Sequence, residues 1–179
     1  MKWSAGEPLD DDETWKLRDD TFPSNLALFS PKNITAHRDG LALAMQRERT
    51  PVREFTAAAI ARRTSYLYES FAAELRPSNV PGLITGLFLR RNGPRQEIDI
   101  EFLGRDTTKM LVNVFYNPGP DGTRLEFGYR GTPTEITFGF DAAADFHLYE
   151  IDWQPNHITW KIDGVTVCER TLWNPTPIP

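Results

Sequence analysis

The chain has 179 residues, of which 40% are hydrophobic and 25% charged, and a formal net charge of −5. That length suits one domain with a sizeable core and is too short for two ordinary ones. The acidic balance, without a basic stripe interleaved with aromatics, argues against a nucleic-acid partner, and the most apolar stretch, 83–89, is far too short to span a bilayer, so no membrane partner is expected.

In chain order, residues 1–18 read as an N-terminal extension and 19–179 as the domain. Asp10, Asp11, Asp12 and Glu13 stand where a signal peptide needs an apolar stretch, so no export signal is visible. Fourteen prolines and twelve glycines then punctuate short runs rich in Val, Ile, Phe, Tyr and Trp, the rhythm of an all-β sandwich. Strands are expected at 33–37, 41–46, 57–63, 66–75, 84–90, 97–102, 110–116, 124–129, 134–137, 146–153, 157–162 and 165–171. Turns fall at Asp39-Gly40, Asn92-Gly93-Pro94, 117–122 and Asp163-Gly164. The last is the strongest, because Asp and Gly tolerate the positive φ of a two-residue hairpin and alternating runs flank them. The Ala-rich stretch 141–145 is the one helical candidate. Cys168 stands alone, which excludes an internal disulfide and says little about compartment.

The most informative run is Glu97-Ile98-Asp99-Ile100-Glu101-Phe102. Strand alternation puts Glu97, Asp99 and Glu101 on one face and Ile98, Ile100 and Phe102 in the core. Three like charges in a row raise one another's energy, and a purely structural strand gains nothing from them. Glycoside hydrolysis needs one carboxylic acid to protonate the leaving oxygen and one carboxylate to attack the sugar carbon or activate water. Glu97 and Glu101 are the natural pair: their Cα atoms are roughly 13 Å apart along an extended strand, and inward-leaning side chains can close this to the ~5–5.5 Å of a retaining enzyme. Asp99 couples to both and is suited to orienting one of them. From spacing alone, an acidic solvent face or an oxygen-ligand site for a cation such as calcium remains an equal alternative.

The run Glu97 to Gly104, followed by Asp106-Thr107-Thr108-Lys109, resembles the catalytic strand of glycoside hydrolase family 16, in particular its bacterial lichenases, endo-β-1,3-1,4-glucanases. A second block, Phe146-His147-Leu148-Tyr149-Glu150-Ile151-Asp152-Trp153-Gln154-Pro155-Asn156 with Asp163-Gly164 beyond it, is similar to another strand and hairpin of that family. The resemblance implies a jelly-roll β-sandwich of two antiparallel sheets with a concave cleft, and a retaining mechanism with Glu97 as nucleophile, Glu101 as acid/base and Asp99 as their partner. It also implies cleft positions at Asn113 and Phe115, where Phe stands for the family's Tyr, and at Tyr68, with ordinary core packing the alternative for Phe115 and Tyr68. Core packing is expected for Phe71, structural roles for Trp153 and Trp160, and a satisfied buried hydrogen bond for His147.

The chain departs from lichenases at Arg90 and Arg95, which stand where a Tyr and a Trp are expected. With Arg91 beside them, these cations suggest a donor side for an anionic or acyl-decorated sugar, the alternative being a solvated arginine loop. No Glu-x-Arg pair stands near 59–63, and the chain stops before the Asn-x-Trp strand with which members continue, so the family's final strands are expected to be missing. The expected activity is endo hydrolysis of a β-linked glucan or related bacterial polysaccharide. A transglycosylase using the same acids and a catalytically silent carbohydrate-binding module are the alternatives. No cofactor is expected beyond a possible structural calcium ion; the partner is the polysaccharide, oligomeric state is not legible, and the resemblance points to an extracellular or periplasmic site.

Overall fold

The computed structural model describes residues 14–92, 95–116 and 130–171. Its regular structure is β-strand, with one 3-10 turn at Pro31–Asn33 among the described residues. The chain divides into two compact units, 1–66 and 67–179.

The first unit is built from short strands. β1 (Trp15–Leu17), β2 (Ala27–Phe29), β3 (Ile34–His37), β4 (Gly40–Leu43), β5 (Met45–Gln46), β6 (Phe55–Ala57) and β7 (Ile60–Arg62) form two antiparallel pairs, β1 with β7 and β3 with β4, and a three-stranded sheet in the order β2-β6-β5. A polar chain holds its interior: Asn33 Nδ2 donates to the Thr56 hydroxyl at 2.9 Å, and that hydroxyl donates to Glu48 Oε2 at 3.0 Å. Both Asn33 and Thr56 are buried, so these bonds offset a desolvation cost that neither could carry alone.

The second unit consists of β8 (Ser70–Leu75), β9 (Ile84–Asn92), β10 (Arg95–Leu103), β11 (Lys109–Tyr116), β12 (Arg130–Gly131), β13 (Thr134–Thr137), β14 (His147–Gln154), β15 (His157–Ile162) and β16 (Val165–Thr171). One antiparallel sheet runs β12-β11-β10-β9, with β13 also paired to β11; the other runs β16-β15-β14-β8. The inward residues of the first sheet, Ile98, Ile100, Phe102, Met110, Val112 and Val114, pack on Tyr149, Ile151, Ile158, Trp160 and Ile162 of the second. Phe102 meets Tyr149 edge to face, with ring centroids 4.8 Å apart. The period of two in the sequence is therefore the division between core and acid-bearing face. The β15–β16 hairpin turns on Asp163 at φ 50° and Gly164 at φ 80°, as the Asp-Gly signal predicts. Asp163 also secures the neighbouring strand: its carboxylate accepts from the Leu148 N–H at 2.9 Å and meets His147 Nδ1 at 2.7 Å, which together hold the Asp163 carboxyl below its ordinary value.

Several expected elements take other forms. Residues 141–145 make a turn instead of a helix, because Asp141 spends its carboxylate on the Ala143 N–H at 2.9 Å and the Thr107 hydroxyl at 2.5 Å, and five residues cannot repay helix nucleation. The expected strand 41–46 divides into β4 and β5, where the Ala44 N–H turns to the Asn33 carbonyl. The strand expected at 57–63 likewise divides into β6 and β7, and that expected at 66–75 begins only at Ser70, since Tyr68 adopts φ 56° and interrupts extension. The expected strand at 124–129 and the turn at 117–122 lie outside the described residues, as do Gly93 and Pro94 of the Asn92-Gly93-Pro94 turn.

Candidate active site

Register pairing decides what surrounds the three acids. On one side β10 places Glu97 opposite Arg90, Asp99 opposite Phe88 and Glu101 opposite Gly86; on the other it sets them against Phe115, Asn113 and Leu111. Residues directly opposite in an antiparallel pair share a face. Even-numbered residues of β9 and odd-numbered residues of β11 therefore belong to the acid-bearing surface, while Leu87 and Leu89 turn to the core.

The acids differ in environment. Glu97 is 9% exposed and Asp99 4%, whereas Glu101 is half-buried. Arg90 Nε approaches Glu97 Oε1 at 3.5 Å. Burial, and secondly the charge of Glu97, push the Glu101 carboxyl above its ordinary value. One carboxylate thus faces a cation while the other is biased toward holding a proton, a split suited to a nucleophile and an acid. Beside Glu101 a pocket opens between Leu103, Asp106, Lys109, Leu111 and Glu135, and Lys109 Nζ meets Glu135 Oε1 there at 2.9 Å. Among the described residues no three His, Cys, Asp or Glu side chains converge as metal ligands.

Asn113, beside Asp99, has its amide oriented by the Thr132 N–H, which donates to Oδ1 at 2.8 Å. Thr132 is in turn gripped by Arg170 of the opposite sheet: Nη1 donates to its hydroxyl at 2.6 Å and Nη2 to its carbonyl, while Nη2 also reaches the Thr134 hydroxyl at 2.9 Å. Phe115, beside Glu97, lies over Gly131; a Cβ there would come within 2.5 Å of the ring. Glycine at 131 is what allows the ring to lie down on the sheet.

The structure brings Glu97, Asp99, Glu101, Asn113, Phe115 and Arg90 into one neighbourhood. Arg95 pairs with Asn92 at the start of β10, and its side chain lies outside the described residues. Tyr68 precedes β8 of the other sheet, and its ring meets Trp153 of β14 edge to face at 5.0 Å. Sequence reading overlooked Phe88, an aromatic 46% exposed that stands across from Asp99, and Thr132, which aims Asn113. The alternation Gly86, Phe88, Arg90 was available as a signal for Phe88; nothing local in the sequence marked Thr132.

This arrangement has counterparts among known proteins. A family model described as Glycosyl hydrolases family 16 matches residues 24–176. A beta-glucanase of Brevibacillus brevis is 31% identical over 170 residues, covering 90% of this chain and 61% of the relative. A beta-glucanase of Paenibacillus polymyxa is 38% identical over 106 residues, covering 56% of this chain and 40% of its own. The chain thus spans less than two thirds of the length of these curated relatives. Among solved structures, a prokaryotic beta-1,3-1,4-glucanase (lichenase) from a mouse hindgut metagenome superimposes with a TM-score of 0.80 at 26% identity, covering 96% of this chain and 78% of that one. The Bacillus licheniformis beta-glucanase gives 0.74 at 28% identity, covering 93% and 74%. The expected all-β jelly-roll class agrees with both. On the match across 24–176, the chain belongs to glycoside hydrolase family 16.

Proposed function

We propose that this chain is the catalytic part of a retaining endo-glycosidase that hydrolyses β-linked glucan, with mixed β-1,3-1,4-linked glucan as the foremost substrate. The observation that carries this reading is the unequal pair on one strand, Glu97 facing Arg90 and Glu101 with its carboxyl pushed up. In the first step a Glu97 oxygen attacks the anomeric carbon. The bond to the leaving oxygen breaks, and the Glu101 proton passes to that oxygen. In the second step a water attacks the same carbon, gives its proton to Glu101, and the ester bond breaks to return the electron pair to Glu97. Asp99, nearly sealed between them, is a positioning residue for the two glutamates. Phe88 offers a sugar ring an apolar face beside the acids, and Asn113, its amide already oriented, offers hydrogen bonds to hydroxyls. The pocket beyond Glu101 is the natural place for the leaving portion of the polymer.

Reducing-sugar release from mixed-linkage glucan, combined with NMR of the anomer first formed, tests the proposal. The β-anomer is expected from the wild type, and no turnover from Glu97→Gln with its circular dichroism unchanged. An α-anomer, or an active Glu97→Gln variant, would overturn it.

A further inference from the structure

We propose that Arg90 is a positioning residue for Glu97, its guanidinium holding the nucleophile's carboxylate against β9. This inference rests on the hydrolase reading above and adds a residue that weights the two steps of that reaction unequally.

Along β10 the two glutamates are alike in two respects, since each flanks Asp99 and each sits on the same face, while Gln96 precedes Glu97 where Ile100 precedes Glu101. The adjoining strand sets a guanidinium across from Glu97 and a glycine across from Glu101. Directly across on the far side β11 sets Phe115, Asn113 and Leu111 against the three acids, and Lys109 of that strand, which lines the pocket beside Glu101, is engaged by Glu135 at 2.9 Å. The contact, 3.5 Å between Arg90 Nε and Glu97 Oε1, is made by side chains 28% and 10% exposed, so water screens it less than it would a pair on the open surface. Gly86 is not forced by sterics. A Cβ there would lie 3.7 Å from the Ile100 carbonyl and 3.8 Å from the Phe88 ring, ordinary distances, so the consequence of glycine is that β9 sets no side chain directly across from Glu101.

A cation fixed beside the nucleophile acts unequally on the two steps. When Glu97 becomes an ester it loses its charge and Arg90 loses its partner; when water cleaves the ester, the carboxylate and the attraction return together. Arg90 therefore favours the return step. Its removal should slow hydrolysis of the glycosyl-enzyme more than its formation, and the covalent species should accumulate.

The test is steady-state and burst kinetics of wild type, Arg90→Gln and Arg90→Lys on mixed-linkage glucan and on a 2,4-dinitrophenyl glycoside of one of its oligosaccharides. For Arg90→Gln, kcat is expected to fall about tenfold, with KM falling alongside it. A stoichiometric burst of dinitrophenolate and a glycosylated enzyme visible by mass spectrometry should accompany the fall, and Arg90→Lys should restore most of kcat. An unchanged kcat overturns the assignment. So does a raised KM at constant kcat, which would make Arg90 a sugar contact, and so does a loss that tracks a lowered melting temperature and is not rescued by Lys. A wild type without turnover, or an active Glu97→Gln, strikes the hydrolase reading itself and takes this inference with it; an active wild type with a silent Glu97→Gln and an unaffected Arg90→Gln strikes this inference alone.

Discussion

The indole of Trp160 donates its Nε1 hydrogen to the backbone carbonyl of Asp99 at 3.1 Å, joining the two sheets of the second unit directly behind the acid row. Trp160 is fully buried, so the bond is made without competition from water. It ties the middle of β10 to β15 at the residue between the two glutamates, and Arg170 stacks over the same indole at 5.9 Å while bracing Thr132.

Trp160→Phe should therefore destabilise the fold by about 2–4 kcal/mol, from lost core volume together with a buried carbonyl deprived of a donor. Urea denaturation checks this as a lower midpoint at unchanged slope. A loss under about 1 kcal/mol would show that the sheets hold the catalytic strand without this pin.

Glu101 gives a prediction whose sign depends on its environment. Its carboxyl is raised in the folded chain by burial and then by Glu97, so the folded state binds this proton more tightly than the unfolded state does. Folding stability then falls as pH rises from the ordinary carboxylate range through the raised value. Glu101→Gln carries no charge to desolvate. It should melt at a higher temperature than wild type at pH 7, lose that advantage near about pH 3, where both chains are neutral at this site, and be inactive on the polymer. Melting curves across pH measure the difference.

Gly104 closes the turn after the acid strand, and a Cβ at this position would collide with the Val80 carbonyl and come within 3.0 Å of the Ser78 carbonyl. Backbone cannot yield as a flexible side chain can. Gly104→Ala should cost about 1–3 kcal/mol by thermal or urea unfolding, an overpacking effect with no cavity to relieve it.

Phe88 tests the acid-bearing face without disturbing the core, since the ring is 46% exposed. On the proposed reading, Phe88→Ala should lower kcat/KM on mixed-linkage glucan by about tenfold, the upper end of what one aromatic stacking contact contributes, while Phe88→Trp keeps most of the activity. The melting temperature should move little in either variant.

The sequence by itself determined the alternation. It separated Ile98, Ile100 and Phe102 from Glu97, Asp99 and Glu101, and it marked the Asp163-Gly164 hairpin, because side-chain period and tolerated φ are local properties of a strand and its turn. It misjudged 41–46, 141–145 and the start of β8, where a contact with a distant residue or a positive φ outweighed local preference. Tertiary structure alone decided that Arg90 faces Glu97, that Glu101 faces a glycine, that Thr132 aims Asn113 and that Trp160 holds Asp99. Those relations are questions of register between strands and of packing between sheets. A shift of one residue would turn every such neighbour to the opposite face, and the energy that forbids the shift is shared among the core residues of both sheets.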